Sequence, residues 1–385
     1  MRPAKLFDDF FNSERAGGLL LIFCAVVSLL LTNSPISESY QHLWHAKVIG
    51  ESTEYWINDG LMTIFFLLIG LELEREIYNG ELSTLKQASL PIVAALGGMV
   101  VPAGLFLVFN YGTPSQAGGG IPMATDIAFA IGILSLLGNR VPVSLKVLLT
   151  ALAVIDDLGA ILVIAVFYTS SLAFTNLFIA AGILLFLFTL NRLKIYNLIP
   201  YLLGGGVAWY FMIHSGVHAT ITGVLLAFVI PFGDGGENSP SYKLQHYLHK
   251  PVAFIILPLF ALANTSIIIE SDWMQGLTQP NSIGIFAGLI LGKPLGIFLF
   301  SFASVALGIC SLPQDVNWKR VLGIGFLGGI GFTMSIFITL LAFNQPQLIT
   351  QSKIAVLLAS LISGIVGYLW LQSVLRTKSD TSSPG

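Results

Sequence analysis

Four charged residues lie in stretches where charge is costly: Asp126, Asp156, Asp157 and Lys293. Asp156 and Asp157 are adjacent in VSLKVLLTALAVIDDLGAILVIAVFY, 14 and 15 residues beyond Pro142. At 1.5 Å per residue, a helix carries them roughly 20 Å inward. Successive helical residues point about 100° apart, so one carboxylate can meet a neighbouring helix while the other faces a water-filled cavity. Two carboxylates this close in a low dielectric repel unless a proton or a cation sits between them. The chemistry on offer is therefore exchange of one for the other.

Lys293, in SIGIFAGLILGKPLGIFLF, sits ten residues into an apolar run with Pro294 behind it. It needs a buried counter-charge, and the three aspartates are the candidates at its depth. Asp126 lies in GGGIPMATDIAFAIG, where three glycines and Pro122 precede Thr125. Pro122 removes a backbone donor, so the segment reads as a broken helix. KRVLGIGFLGGIGFTMSIFITLL carries Gly323, Gly325, Gly328, Gly329 and Gly331 and reads as a second break, with close helix packing through Gly325 and Gly329 as the other reading. Half-helix ends carry partial charge. Asp126 suits facing N-termini, and Lys293 suits facing C-termini.

The elements that must position these groups are membrane helices. Of 385 residues, 55% are hydrophobic and 10% charged, well under the roughly 25% charge of a soluble domain. Long apolar runs in lipid are helices, because open sheet edges are excluded there. We place spans near 16–33, 59–78, 89–110, 119–138, 143–169, 173–190, 197–213, 217–231, 250–269, 283–309, 319–343 and 352–376. This predicts an all-α polytopic membrane protein of twelve transmembrane helices. All but three of the 18 Lys and Arg residues fall on one face of that arrangement; the exceptions are Lys47, Lys353 and Lys293. The positive-inside rule then puts both termini in the cytoplasm. The chain reads as a single integral domain over 1–385, with 1–15 an interfacial leader and 377–385 a cytoplasmic tail. The acidic leader, with Asp8, Asp9 and Glu14, is not a signal peptide.

Several classes are excluded. A net charge of −2 argues against nucleic acid as a partner. Gly323-x-Gly325-x-x-Gly328 matches a dinucleotide fingerprint without the preceding strand it needs, and Asn264-Thr265-Ser266 matches a glycosylation sequon at membrane depth. No nucleophile constellation, metal cluster or cofactor motif is visible, and Cys24 and Cys310 predict no disulfide. An intramembrane aspartyl protease needs its aspartates on different helices, whereas two here are adjacent. Three carboxylates against one lysine favour a cationic cargo. The alternative is a secondary transporter of a different cationic or small organic substrate.

ATDIAFAIGILSLLGNRVP, LTALAVIDDLGAILVIAVFY, LGKPLGI, GIGFTMSIFI, SGVHATITG and WINDGLMTIFFLLIGLELERE closely resemble the NhaA-type sodium/proton antiporters, in order, from about residue 8 to 376. The resemblance implies an inverted repeat of spans three to five and ten to twelve, with spans four and eleven discontinuous at mid-membrane around Pro122 and around Gly328, Gly329 and Gly331. It implies Asp157 as principal ligand of the transported Na+ and Asp156 as its partner, paired with Lys293. Asp126 and Thr125 occupy the unwound fourth span. Transport in the family is electrogenic, two protons entering per Na+ or Li+ leaving, by alternating access, in the bacterial inner membrane. The second proton resides on Asp156 or on Lys293. The lipid bilayer is one partner and a second copy of the chain another. The outer loop His45–Asn58 supplies the homodimer contact, with alternation (Val48, Ile49, Tyr55, Trp56) suited to a short hairpin.

The resemblance also implies activation at alkaline pH through Glu72, Arg75, Glu76, His246 and His249, with His218 a further candidate and Asp59 at an outer funnel. Histidine is the side chain suited to such sensing. Two departures bear on it: Gln245 stands where the family pattern is acidic and Glu74 where it is basic. Both predict a shifted pH midpoint.

Overall fold

The computed structural model describes residues 3–80, 82–169, 172–271 and 273–376, with the side chains of 3–15, 85–87, 139 and 376 left outside the description. The expectations for the 1–15 leader's side chains and for the 377–385 tail fall outside it. The described chain is almost entirely helical. Among the described residues, eight helices are long and apolar enough to cross a membrane, or ten if each of two sharply bent pairs counts as one span.

The chain divides into two compact units. The first comprises 1–29, 84–160 and 267–385. Its centre is the packing of Leu85–Asn110 against Lys293–Ala306 and the turns before it. Small residues let these helices approach closely, as is usual where lipid supplies no hydrophobic drive. A Cβ on Gly296 would meet the Gly97 carbonyl carbon at 2.7 Å, and one on Gly292 would meet Pro102 Cα at 2.7 Å. A Cβ on Gly98 would approach Ile297 at 2.9 Å and the Lys293 stem at 3.7 Å.

The second unit comprises 30–83 and 161–266. Met62–Asn79 packs against Ile221–Val229; a Cβ on Gly223 would meet Leu67 N at 2.9 Å, and one on Gly70 would meet Val224 Cα at 3.2 Å. Leu67, Leu71, Leu187, Tyr201, Leu226, Ala227, Ile230 and Leu244 form a buried apolar cluster there. Asn58 and Asn264 exchange amide hydrogen bonds, at 2.7 Å from Asn264 Nδ2 and 3.4 Å in return. The sequon asparagine is therefore buried and bonded.

Element boundaries differ from the sequence reading in instructive places. The run 217–231 yields a helix only over Ile221–Val229, because Gly216 takes φ +86° and 217–220 turn. The run 250–269 begins earlier, at Pro240, and stops at Asn264. Its interior prolines, Pro251 and Pro258, coincide with a wide π turn over Val252–Ile256. The expected hairpin exists but is shorter: Lys47–Val48 pairs antiparallel with Glu51–Ser52. Ile49 and Gly50 turn it at φ +51° and +91°, the two positive-φ positions of a type I′ turn. Tyr55 and Trp56 are helical instead.

Candidate functional site

The four interior charges all lie within the first unit, and two of them, Asp156 and Lys293, are in contact. Val143–Phe167 is a continuous helix, so Asp156 and Asp157 diverge as its geometry dictates. Both are fully buried, as is Lys293. Asp156 Oδ2 receives the Lys293 ammonium in an ion pair. Thr125 Oγ1 lies 2.9 Å from the same oxygen and 2.8 Å from the Gly328 carbonyl oxygen. A hydroxyl has one proton to donate, so Thr125 cannot satisfy both acceptors by donation. Asp156 Oδ1 accepts no hydrogen bond among the described residues.

Lys293 reaches this place through an irregularity in its own helix. Ala287–Gly292 is a π turn in which the Lys293 N–H bonds back five residues to the Gly288 carbonyl. Pro294 has no N–H, so the wider register leaves the Leu289 carbonyl without its helical donor. Such single wide turns are frequent at functional positions.

Both expected breaks are present. The first is a 3-10 segment, Gln116–Met123, then extended backbone through Asp126, then the helix Ile127–Ser135. The second is Trp318–Gly328 followed by Phe332–Ala342, bent by 48°. Of its glycines, Gly323 packs on Leu371 and Gly325 on Pro294, whose Cα would lie 2.7 Å from an added Cβ. Both readings of the glycine cluster therefore hold: the break falls between Gly328 and Phe332, while Gly323, Gly325 and Gly329 pack closely, a Cβ on Gly329 running into the Leu289 carbonyl oxygen. Asp126 ties the two breaks together. Its Oδ1 accepts the Phe129 N–H at 2.9 Å, and its Oδ2 accepts the Thr333 N–H at 3.0 Å and hydroxyl at 2.5 Å. The Asp126 N–H donates to the Ile330 carbonyl at 2.7 Å. An acid at two facing N-termini suits their partial positive charge.

Two points correct or extend the sequence reading. Lys293 is given to Asp156, while the carbonyl ending the Trp318–Gly328 helix is met by Thr125; the task expected of Lys293 at the facing C-termini falls in part to a hydroxyl. Thr333 and Ser335, whose hydroxyl donates to the Ile121 carbonyl at 2.6 Å, were not singled out. A threonine two residues after the last glycine of the second break was the available signal for Thr333.

The other candidates lie in the second unit. His249 Nδ1 is 3.8 Å from Glu72 Oε1. The Arg75 guanidinium lies over the Tyr242 ring at 5.5 Å, and His246 stacks on the same ring. The Glu76 carbonyl accepts the Gly80 and Leu82 N–H groups. His218 stands elsewhere, its Nε2 2.8 Å from the Tyr168 carbonyl oxygen. Asp59 belongs to the wide turn Trp56–Leu61, and its carbonyl accepts the Thr63 hydroxyl at 2.5 Å. Among the described residues, no group of three or more His, Cys, Asp or Glu is arranged to hold a metal.

Compared with known families, residues 8–371 match the model of Na+/H+ antiporter 1. The chain belongs to this Na+/H+ antiporter family. The Na+/H+ antiporter NhaA 1 of Flavobacterium johnsoniae is 66% identical over 381 residues, covering 99% of this chain and all of that protein. The NhaA antiporter of Dechloromonas aromatica is 59% identical over 96% of each. Among solved structures, the sodium/proton antiporter MjNhaP1 of Methanocaldococcus jannaschii aligns over the whole of both chains with a TM-score of 0.54 at 15% identity, a likeness of fold. Membership makes this antiporter-family chain a multi-pass membrane transporter.

Proposed function

We infer that this protein is an electrogenic secondary antiporter, exporting Na+ or Li+ and admitting two protons per cation across a bacterial inner membrane. In this reading 1–385 is one transport domain of twelve spans, with spans three to five mirrored by ten to twelve. Both termini lie in the cytoplasm, and 1–15 and 377–385 are the leader and tail. No cofactor takes part; Na+, Li+ and H+ are the cargo.

The observation that carries the reading is the oxygen set around Asp156. A buried carboxylate, a hydroxyl and an open carbonyl converge with one hydroxyl proton between them, and Lys293 holds the carboxylate. The set is completed either by a proton on the carboxylate or by a cation that hard oxygens favour. Asp157, one residue on and equally buried, is the principal cation ligand. With the site open to the cytoplasm, both aspartates release protons. Na+ then binds their oxygens with Thr125, and Asp156 lets go of Lys293. The loaded site turns outward, Na+ leaves, and protons return. Asp126 keeps the two breaks facing each other throughout.

Activity rises with pH through the Glu72, Arg75, Glu76, His246 and His249 rim, with His218 contributing and Asp59 lining the outer funnel. The Lys47–Ser52 hairpin pairs two copies into a homodimer: Ile49, at its tip, is 88% exposed. The test is dequenching of a pH dye in everted vesicles on adding Na+ or Li+. Absence of any cation-dependent signal between about pH 6.5 and 9, with the protein expressed, overturns the reading; this window brackets the range where histidine and the competing protons matter.

A further inference from the structure

The half-helix that restarts the second broken span begins at Phe332, and its N-cap, Gly331, has no side chain to offer. The first amides of a helix lack intrahelical acceptors and here must find them in a buried place. Thr333 N–H finds Asp126. Phe332 N–H donates instead to Ser360 Oγ at 3.1 Å, and Ser360 lies outside both broken spans, in the helix Pro346–Arg376. Ser360 is 2% exposed, so water is a poor substitute for it.

One turn further along, Ser363 meets the same break. A Cβ placed on Gly329 would lie 2.8 Å from Ser363 Oγ. That hydroxyl is fully buried and makes no hydrogen bond among the described residues. Residues three apart share a helix face, so this helix presents two hydroxyls to the segment 329–332. A buried hydroxyl left without a partner is costly, which argues that Ser363 gains one when the break changes shape.

We propose that Ser360 is a positioning residue for cation exchange, acting through the break rather than on the cargo. Its hydroxyl fixes the start of Phe332–Ala342. That start carries Thr333 to Asp126 and lies four residues from the Gly328 carbonyl that faces Thr125. Loss of the cap lets the half-helix fray at its first turn and misaligns that carbonyl with Thr125. Ser363 supplies the alternative hydroxyl as the break shifts. This rests on the antiporter reading above, with the oxygens around Asp156 as the cation site.

The experiment uses the full-length protein in proteoliposomes, with Na+ titrated at several fixed pH values. Wild type is compared with Ser360→Ala, Ser360→Thr and Ser360→Cys, each normalised to folded protein. Ser360→Ala raises the apparent KM for Na+ by roughly fivefold, the factor that loss of one helix cap represents, with a smaller change in maximal rate. Ser360→Thr keeps wild-type values. Ser360→Cys, a weaker acceptor of similar size, falls between and keeps the test open if the alanine variant folds poorly. Apparent KM and pH profile equal in wild type, Ala and Cys variants overturn the proposal. So does a loss that tracks only the amount of folded protein. A wild type without Na+-dependent exchange removes the antiporter reading and this inference with it.

Discussion

The Asp126–Thr333 knot offers a perturbation whose size follows from the geometry. Asp126 Oδ2 accepts two hydrogen bonds from Thr333, one from its N–H and one from its hydroxyl. Asp126 is 2% exposed. Thr333→Val keeps the shape and the amide but deletes the hydroxyl. A hydrogen bond to a charged group contributes about 1.5–3 kcal/mol, and that is the expected loss. In Asp126→Asn, one oxygen must serve where two did, and the new NH2 group faces an N–H donor. One charge-assisted bond is lost and one buried amide is stranded, a combined cost of about 3–5 kcal/mol. In the double variant the valine removes a hydroxyl that no longer meets a carboxylate, so its added cost is small. The cycle therefore closes with a coupling of about 1–3 kcal/mol. Equilibrium unfolding in mixed detergent micelles measures all four proteins, and proteoliposome exchange reports whether the breaks stay aligned. Strict additivity of the two single losses would refute the claim that these residues act on each other.

Three further outcomes follow from the same geometry. Lys293→Gln leaves a buried Asp156 charge without its partner and destabilises the fold by about 3–5 kcal/mol, whereas pairing it with Asp156→Asn recovers most of that; a double variant no more stable than Lys293→Gln would count against the pair, and electrogenic exchange by it would remove the lysine as a proton carrier. The Glu72–His249 contact is an ion pair only while the imidazole carries a proton and the carboxylate does not. His249→Ala should then flatten the rise of exchange with pH, and an unaltered profile would sink its role as a sensor. In the second unit, Gly223→Ala drives a methyl against the Leu67 amide and should lower stability by about 1–3 kcal/mol; an unfolding midpoint equal to wild type would show that these helices separate freely.

Much of the candidate site is legible in the sequence. Charge in lipid is expensive, so Asp126, Asp156, Asp157 and Lys293 stand out from an apolar background and require partners. Helical geometry alone separates the neighbouring aspartates. Proline and glycine mark both breaks, because each removes a constraint or a donor from the backbone. What was not legible concerns which group meets which. Residue types and spacing do not say which aspartate receives Lys293; only the family resemblance pointed to Asp156, which the structure pairs with it, and no local composition announces the π turn before Pro294. The glycines of the second break look alike in sequence, yet Gly323 and Gly325 serve packing within a continuous helix while Gly329 packs closely inside the interruption, since their roles depend on what lies opposite.

The sequence by itself determined that the chain is helical and lipid-embedded, that its few interior charges need partners at depth, and that the span around Pro122 is interrupted. These follow from the transfer cost of charge and from backbone chemistry, both local properties. Only the tertiary structure decided that Thr125 stands between Asp156 and the Gly328 carbonyl, that Asp126 binds both breaks through Thr333, and that Ser360 caps the second. Those contacts join residues 28 to 207 positions apart. Hydrogen bonds act over about 3 Å, so which pairs form is set by helix packing and not by position along the chain.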